Sequence, residues 1–492
     1  MAMPSKTGRK MARPPHRTSV LCALAAGLLW LPPLSGLAQT LPASSDSLTS
    51  GTTSSDDDAI TADTTDDLQT GTTVTAATVA TTTLDPDAEI AADALDNGRQ
   101  NLRESTIDQL RGGRDLTDDG TGIRLGTMML KPTISQGLVT ETTKTGNQSE
   151  RKTYWDTGLK GTLTSDWSSH QLTVNGQGNW RRVLSGDGED EPTAAIDADL
   201  RLDLADGMAA RLTAAYSFSH EDTDDPNAIS GASEQSGIHQ FNTGAALERD
   251  FGKIRGSVGL NFGRTLYTDA VLSDGTRVEL SDRNRSSATL NARIGYELSP
   301  ALIPFIEVSA GRILYDDKRD SSGYQRSGDL YAVSTGLAAD FGEKLRGELG
   351  IGYERMMFDD QRLEDLGAIT LDGNLGWSPQ RGTDVTVGLS TSIEPSTTAG
   401  LSGSVAYQLN AGVAHELRSN LVARLSGSTT WRDYPTQSDD SDTIYYTAGT
   451  GLTYSVNRYV DLTADLSYEL TTTQTSADTQ VLRAGVGMAL KR

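Results

Sequence analysis

Apolar and polar residues alternate along most of the chain, from about Leu125 to the C-terminus. Residues 194–204 show the pattern most clearly: Ile196 and Leu200 share one face, while Asp197 and Asp199 share the other. A period of two is that of a β-strand whose two faces meet different surroundings. Long stretches with a helical period are not concentrated anywhere in the chain. The pattern therefore predicts an all-β protein.

Short turns alternate with longer polar loops between these segments, which is typical of transmembrane β-barrels. Eight turns and nine loops predict eighteen antiparallel strands, with sixteen as the alternative count, and place both ends of the sheet on the turn side. The turns lie near residues 166, 205–207, 250–253, 299–300, 340–344, 379, 418–420 and 456–458. The loops cover residues 144–150, 185–192, 221–237, 268–285, 316–328, 359–365, 395–402, 435–442 and 473–477.

Aromatic residues provide a check on the strand directions, because a barrel in a membrane carries aromatic girdles at the interfaces. With the turns and loops assigned as above, ten rings on the apolar faces converge on one level beside the long loops. The long loops are therefore predicted to face outside. The expected girdle residues are Trp155, Trp180, Tyr216, Phe218, Tyr331, Tyr353, Tyr407, Trp431, Tyr446 and Tyr468.

The N-terminus predicts a secretory signal over residues 1–38. Its five basic residues precede an apolar run at residues 19–30, which is shorter than the ~20 residues that a spanning helix needs. Cleavage is expected after Ala38, and an uncleaved anchor is the alternative. Cys22, the only cysteine, lies inside this segment, so the mature chain is expected to have neither a thiol nor a disulfide.

Residues 39–122 form a low-complexity segment rich in Thr, Ser, Ala and Asp. Such a composition buries too little apolar surface to offset chain entropy, so a disordered periplasmic tail is predicted. Asp85, Pro86 and Asp87 resemble a helix start, which predicts a short helix over residues 87–95. The barrel is predicted to occupy residues 123–492.

The polar face of each strand is expected to line the lumen. Four arginines close to short turns are expected to form a basic arc near the turn-side mouth, and other charged residues to line the wall above it. Two interpretations stay open: separated arcs of opposite charge tune ion selectivity, or the same residues only solvate and cross-link a plugged wall. The arginines are Arg211, Arg255, Arg346 and Arg424, and the others are Arg293, Glu307, Glu348, Asp372, Asp461 and Asp465.

Charge and motifs exclude several classes of function. The net charge of -23 argues against nucleic acid as a partner, because phosphates require a basic surface. Paired acids in the loops, such as Asp224 and Asp225, lack calcium-loop spacing and are interpreted as solvated loop residues, with calcium binding as the alternative. No nucleophile elbow, zinc-protease motif or phosphate-binding glycine loop is present. We therefore expect no enzymatic activity, no cofactor and no metal site.

The signal, the acidic lead-in and the run from Ile123 to Arg492 resemble the outer-membrane β-barrel family called beta-barrel porin 2. The resemblance covers about three quarters of the chain and rests on diffuse features, such as the repeated Asp-Phe-Gly turns at Asp250 and Asp340. It implies a multi-pass barrel in the outer membrane of a Gram-negative bacterium. Some members are linked to surface-polysaccharide export as eighteen-stranded barrels. The family has no compact site motif, so no functional residue is carried over.

Three functions are compatible with these features. The leading expectation is a porin-like channel for passive diffusion of small polar solutes. The alternatives are an outer-membrane component of surface-polysaccharide export and a structural or adhesive surface barrel. The expected partners are outer-membrane lipid and lipopolysaccharide, the barrel-assembly machinery and, for the export alternative, periplasmic polysaccharide-export proteins.

Overall fold

The computed structural model describes residues 122–186, 191–205, 207–221, 227–229, 231–397, 401–435, 442–473 and 477–492. The predicted signal peptide, the predicted disordered tail and the short helix expected at residues 87–95 lie outside these residues. Within the described part of the chain, no helix has the length and apolar character needed to cross a membrane.

Eighteen long strands form one closed antiparallel barrel, which confirms the fold predicted from the alternation and the turn count. Sequence neighbours pair throughout, and β18 pairs with β1, for example Leu490 with Ile134, to close the cylinder. The strands are β1 (Met128–Thr145), β2 (Gln148–Ser165), β3 (His170–Ser185), β4 (Glu191–Asp203), β5 (Met208–His220), β6 (Gly237–Phe251), β7 (Ile254–Tyr267), β8 (Arg285–Tyr296), β9 (Leu302–Tyr315), β10 (Gly328–Asp340), β11 (Leu345–Phe358), β12 (Leu366–Gln380), β13 (Thr383–Pro395), β14 (Gly403–Arg418), β15 (Leu421–Asp433), β16 (Thr443–Asn457), β17 (Val460–Thr473) and β18 (Thr479–Lys491).

The two rims of the barrel differ. Eight connections lie at the rim where β1 begins and β18 ends, which we call the turn end, and nine lie at the opposite rim, the loop end. The first loop-end connection is shorter than expected: β1 and β2 pair up to Thr145 and Gln148, so most of the loop predicted at residues 144–150 is strand. A short strand, Ile123–Leu125, pairs with the start of β1.

Two of the loop-end connections have secondary structure of their own. The strands Ala232–Glu234, Ala270–Leu272 and Arg277–Val278 form a small three-stranded sheet that joins the connections after β5 and β7. A 3-10 turn, Ser281–Arg283, follows in the second of them, and another, Gly342–Lys344, lies at the turn end after β10.

The strand alternation separates an outward apolar face from an inward polar face. On β8, Leu290 and Ile294 are 52% and 64% exposed and point outward, while Arg293 between them points inward. Exposed apolar side chains on the outer face of a closed barrel are suited to contact with lipid tails, and polar side chains on the inner face are suited to an aqueous lumen.

The seam between the first and last strands carries an inward ion-pair triad. Arg483 on β18 lies 2.8 Å from Glu141 on β1 and 2.8 Å from Glu469 on β17. All three side chains are largely buried, so the triad links three consecutive strands across the closure.

Candidate functional site: the lumen beneath an inward-turned hairpin

The β13–β14 hairpin separates from β12 at the loop end, while β14 stays paired with β15 up to Val405↔Asp433. The β12–β13 ladder runs from Gln380↔Thr383 only as far as Gly373↔Leu389, although β12 continues to Leu366 and β13 to Pro395. In contrast, β13 and β14 stay paired up to Pro395↔Gly403. The two strands therefore depart from β12 as a unit.

A side-chain clip replaces the ladder at the point of departure. The Thr391 hydroxyl accepts a hydrogen bond from the Leu371 N–H at 2.9 Å and donates one to the Leu371 carbonyl at 3.2 Å. The Asp372 carboxylate accepts a bond from the Thr391 N–H at 3.1 Å. These bonds satisfy main-chain groups that the ladder no longer pairs, as buried peptide groups require.

The hairpin turns into the lumen. Ile393 on β13 and Val405 on β14 are 0% and 1% exposed and belong to one buried apolar cluster with Leu330, Met356 and Leu366. The last three point inward, because the outward residues beside them on their strands are exposed to the outside. Since the hairpin packs on the inner wall, the apolar face of its upper part meets protein where lipid would otherwise lie.

One arginine holds the tip of the hairpin. Arg326, in the connection after β9, is 2% exposed and donates hydrogen bonds to the carbonyl oxygens of Ser396 and, at 3.0 Å, Leu401. Its Nε also lies 2.6 Å from the Asp320 carboxylate. A buried guanidinium paired with a carboxylate and aimed at two carbonyls is a strong, directional tether.

A second tether comes from the connection after β5. The Asn227 side-chain oxygen accepts bonds from the N–H and hydroxyl of Thr397 at 2.9 and 3.0 Å. The Asn227 carbonyl accepts a bond from Arg283 at 2.8 Å, and Arg283 forms a buried ion pair with Glu221 at 3.0 Å. The connections after β5 and β9 thus contact the hairpin tip, and the connection after β7 supports Asn227 through Arg283. We call these three connections and the tip the loop-end cap.

The connection after β11 supports the Arg326 tether. Asp360 accepts bonds from Arg362 at 2.6 Å and from the Gln325 N–H at 2.9 Å, beside Arg326 in the chain. The Arg362 guanidinium, followed by the Gln325 N–H, holds the pKa of the Asp360 carboxyl well below its usual range. Asp360 therefore stays ionised, and this support stays in place, through mildly acidic pH.

On its lumenal side the hairpin is bound to β15. Glu394 on β13 lies 2.7 Å from Arg432 and accepts a bond from Ser404 at 3.1 Å. Arg432 is 4% exposed and also donates to the Tyr445 hydroxyl at 3.0 Å. Contacts on both faces therefore hold the hairpin inside the barrel.

All ten residues expected to line the lumen lie on the inward parity of their strands. The four arginines of the expected basic arc are engaged with neighbouring groups. Arg211 bonds Asp199 at 2.5 Å, and Arg255 lies 3.1 Å from Glu297. Arg346 donates to the Gly342 carbonyl at 3.3 Å, and Arg424 lies beside Asp465. This geometry favours cross-linking of the wall over a free basic arc.

Acidic side chains predominate on one part of the wall. Glu307 on β9, Glu348 and Glu354 on β11, and Asp372 on β12 point inward, and we call them the acidic wall. Arg293 on β8 forms ion pairs with two of them, at 2.7 Å from Glu348 and 3.7 Å from Glu307. Among the described residues, neither Asp372 nor Glu354 has an ion pair.

The predicted girdle residues lie on the outward parity of their strands. Tyr331, Tyr353, Tyr446 and Tyr468 are among the exposed apolar side chains, as are Trp155 and Trp180. The others touch neighbouring rings: Tyr407 stacks on Trp431 with 5.4 Å between centroids, and Phe218 lies 4.7 Å from His239. The Tyr216 hydroxyl lies 3.0 Å from His239 Nδ1. Tyr407 differs from the other rings, because it also packs against the buried apolar cluster between the hairpin and the inner wall.

Sequence reasoning missed Glu354 and the residues of the cap. Glu354 shares inward parity with Glu348 on the same strand, so alternation alone could have found it. Arg283 and Arg326 lie in connections, where no period marks a buried side chain. In the described residues, no group of three or more histidine, cysteine or acidic side chains is arranged to hold a metal ion.

Comparison with known families decides the assignment. The family described as "Putative beta-barrel porin 2" matches residues 118–492. The chain belongs to this family. Membership puts it among porin-like outer-membrane β-barrels and confirms the resemblance found in the sequence. No curated protein sequence matches the chain.

Several solved outer-membrane proteins are similar to this chain in backbone structure. Pseudomonas aeruginosa OpdL is 13% identical with a TM-score of 0.38, over 75% of this chain and 99% of that one. The outer membrane protein opdK from the same organism is 10% identical with a TM-score of 0.38, over 74% and 99%. The siderophore receptor PirA from Acinetobacter baumannii is 8% identical with a TM-score of 0.36, over 73% and 80%. At these scores the proteins inform neither the solute nor the role of any residue.

Proposed function

We propose that this protein is a passive, non-enzymatic channel for small polar solutes, narrowed at its loop end by the β13–β14 hairpin. The supporting observation is the combination of a closed eighteen-strand barrel with a charged inner face and a hairpin packed inside it. Barrels of 16–18 strands are wide enough to leave an aqueous channel. A hairpin inside such a lumen reduces its width without filling it from rim to rim.

The proposed role explains why the hairpin is tethered on both sides. A flexible segment would block the channel intermittently, whereas a segment held by Arg326 and Arg432 has a defined position. A fixed constriction selects solutes by size, and the charged wall beneath it selects them by charge. The outward rings other than Tyr407 are proposed to lie at the lipid interface on the loop-end side, with the predicted N-terminal tail on the periplasmic side.

Planar-bilayer recording of the purified barrel tests this function. The proposal expects stepwise conductance in potassium chloride, and a decrease in relative solute flux into proteoliposomes as sugar size increases. A correctly folded barrel with neither conductance nor flux would refute it. In that case, loss of surface polysaccharide on deletion would support the export alternative instead.

A further inference from the structure

The acidic wall contains a carboxylate that the channel architecture leaves unsatisfied. Glu354 is 0% exposed, and neither of its side-chain oxygens has a hydrogen-bond partner among the described residues. A buried polar group without a partner costs free energy, and a buried charge costs more. Such a group in a folded barrel calls for a physical reason.

The surroundings of Glu354 explain its burial but supply no donor. Its direct neighbours across the ladders are Ala332 on β10 and Ala368 on β12, and Met356 follows it on the same face. Ala368 and Met356 belong to the apolar cluster on which the hairpin packs. These side chains exclude water from the carboxylate and carry no hydrogen-bonding hydrogen.

The charged groups nearest to Glu354 are acidic. Asp372 lies within electrostatic range on β12, and Glu348 and Glu307 lie further towards the turn end on the same wall. The guanidinium that pairs with this wall, that of Arg293, lies 2.7 Å from Glu348 and packs 3.5 Å above the Phe305 ring. The wall is therefore arranged to attract positive charge that the described residues do not supply.

We infer that the acidic wall is a binding subsite for an organic ammonium cation, with Glu354 and Asp372 as its acceptors. An ammonium group carries three N–H donors, which suits carboxylates that lie on neighbouring strands within electrostatic range of one another. A metal ion fits less well, because no group of three or more acidic or histidine side chains within the described residues is arranged to coordinate one. The aliphatic part of an amine would lie against the apolar cluster beneath the hairpin.

The approach to the subsite lies on its turn-end side. Glu348, whose side chain is 17% exposed, and the half-buried Asp372 come before Glu354 along the lumen. Gly350 lies between Glu348 and Glu354, and a Cβ built there meets no atom closer than 3.7 Å. A cation therefore passes partly exposed carboxylates before it reaches the buried one. The inference names the solute class of the proposed channel and so rests on the proposed function.

Isothermal titration calorimetry with spermidine tests binding without requiring an open channel. The purified barrel is titrated in detergent beside the Glu354→Gln, Asp372→Asn and Asp197→Asn variants. Asp197 is the matched control: it is an inward carboxylate on β4, bonded by Asn175, and its variant makes the same change in charge. We expect saturable binding to the wild type and the control, weakened about tenfold in each of the other two variants. Equal binding in all four proteins would overturn the inference. Absence of binding to the wild type would overturn it as well, and is the result expected if Glu354 is simply a protonated carboxyl group.

Single-channel recording separates this inference from the proposed function. In a potassium chloride gradient the wild type should favour potassium over chloride and be blocked by spermidine from the turn-end side. The Glu354→Gln and Asp372→Asn variants should require about tenfold more spermidine for the same block. Conductance with equal block in all variants would overturn the subsite alone, whereas absence of conductance with intact calorimetric binding would overturn the channel alone.

Discussion

Arg326 donates a hydrogen bond of 3.0 Å to the carbonyl oxygen of Leu401, a residue 75 positions further along the chain. This contact joins the connection after β9 to the tip of a hairpin that lies inside the barrel. It has no counterpart in the strand ladder, which pairs sequence neighbours and closes β18 on β1. The shape of the loop-end half of the lumen thus depends on interactions between loops.

Loss of the Arg326 tether should expose the hairpin tip. Ser402 is 1% exposed, and a Ser402→Cys variant provides the mature chain with one thiol if the segment containing Cys22 is removed as predicted. Hydrogen bonds to a charged group contribute about 1.5–3 kcal/mol, so adding Arg326→Ala should accelerate maleimide labelling of this thiol by about tenfold or more. Arg319→Ala is the control, because among the described residues the Arg319 side chain donates a hydrogen bond within its own loop, to the Gly323 carbonyl, and none to the hairpin tip. Equal labelling rates in all three backgrounds would show that Arg326 does not hold the tip.

Gly403 should tolerate no side chain. A Cβ at this position would collide with the Glu394 carbonyl oxygen and lie 2.8 Å from Leu366 Cδ1. Gly403→Ala should therefore push the hairpin from the inner wall and increase labelling at Ser402→Cys in the same assay. Gly388→Ala, nearer the turn end of β13, is the control, because the new Cβ would lie at an ordinary contact distance of 3.9 Å from Asn410 Cβ. If both variants label alike, the close approach of Gly403 to the wall is not what seats the hairpin.

The support of Arg326 by Asp360 should resist mild acid. Because the folded pKa of Asp360 is depressed, its contribution is present above the usual aspartate pKa of ~3.9 and is lost only as pH falls through the lower folded value. Hydrogen exchange over residues 316–327, corrected for intrinsic rates, should therefore be equal at pH 7 and pH 5. Asp360→Ala should exchange faster at both. A wild type that already loses protection at pH 5 would contradict the depressed pKa.

The triad at the barrel seam should contribute substantially to stability. Arg483→Ala leaves Glu141 and Glu469 largely buried without their shared cation, and breaking a buried pair typically costs about 3–5 kcal/mol. Water in the lumen should bring the loss to the lower end of that range. Urea unfolding in detergent, followed by tryptophan fluorescence, measures it against Arg458→Ala at an exposed turn. A difference in unfolding free energy below about 1 kcal/mol between the two variants would show that the backbone ladder alone keeps the barrel closed.

The sequence predicts the barrel and the orientation of its faces well. Leu290, Arg293 and Ile294 lie on the faces that alternation assigns to them, and the turn and loop positions predict all eighteen strands. Alternation reports which residues share a face, and it therefore works wherever the wall has lipid on one side and lumen on the other.

The inward hairpin follows a pattern that alternation cannot resolve. Ile393 and Val405 continue the parity of lipid-facing residues, so the sequence looks the same whether that face meets lipid or the inner wall. The contacts that decide between the two come from distant loops, through Arg326 and Asn227. Glu354 shows the same limit. Alternation in the sequence predicts that its side chain points inward, but its burial depends on the position of the hairpin.

The conductance of the wild-type barrel compared with that of the Arg326→Ala variant tests the central claim most directly. An aqueous channel narrowed by a tethered hairpin predicts stepwise openings in both proteins, with larger steps or longer open times in the variant. Arg319→Ala should behave as the wild type does. Steps that are identical in all three proteins would contradict the constriction, and a silent bilayer for all three folded proteins would contradict the channel itself.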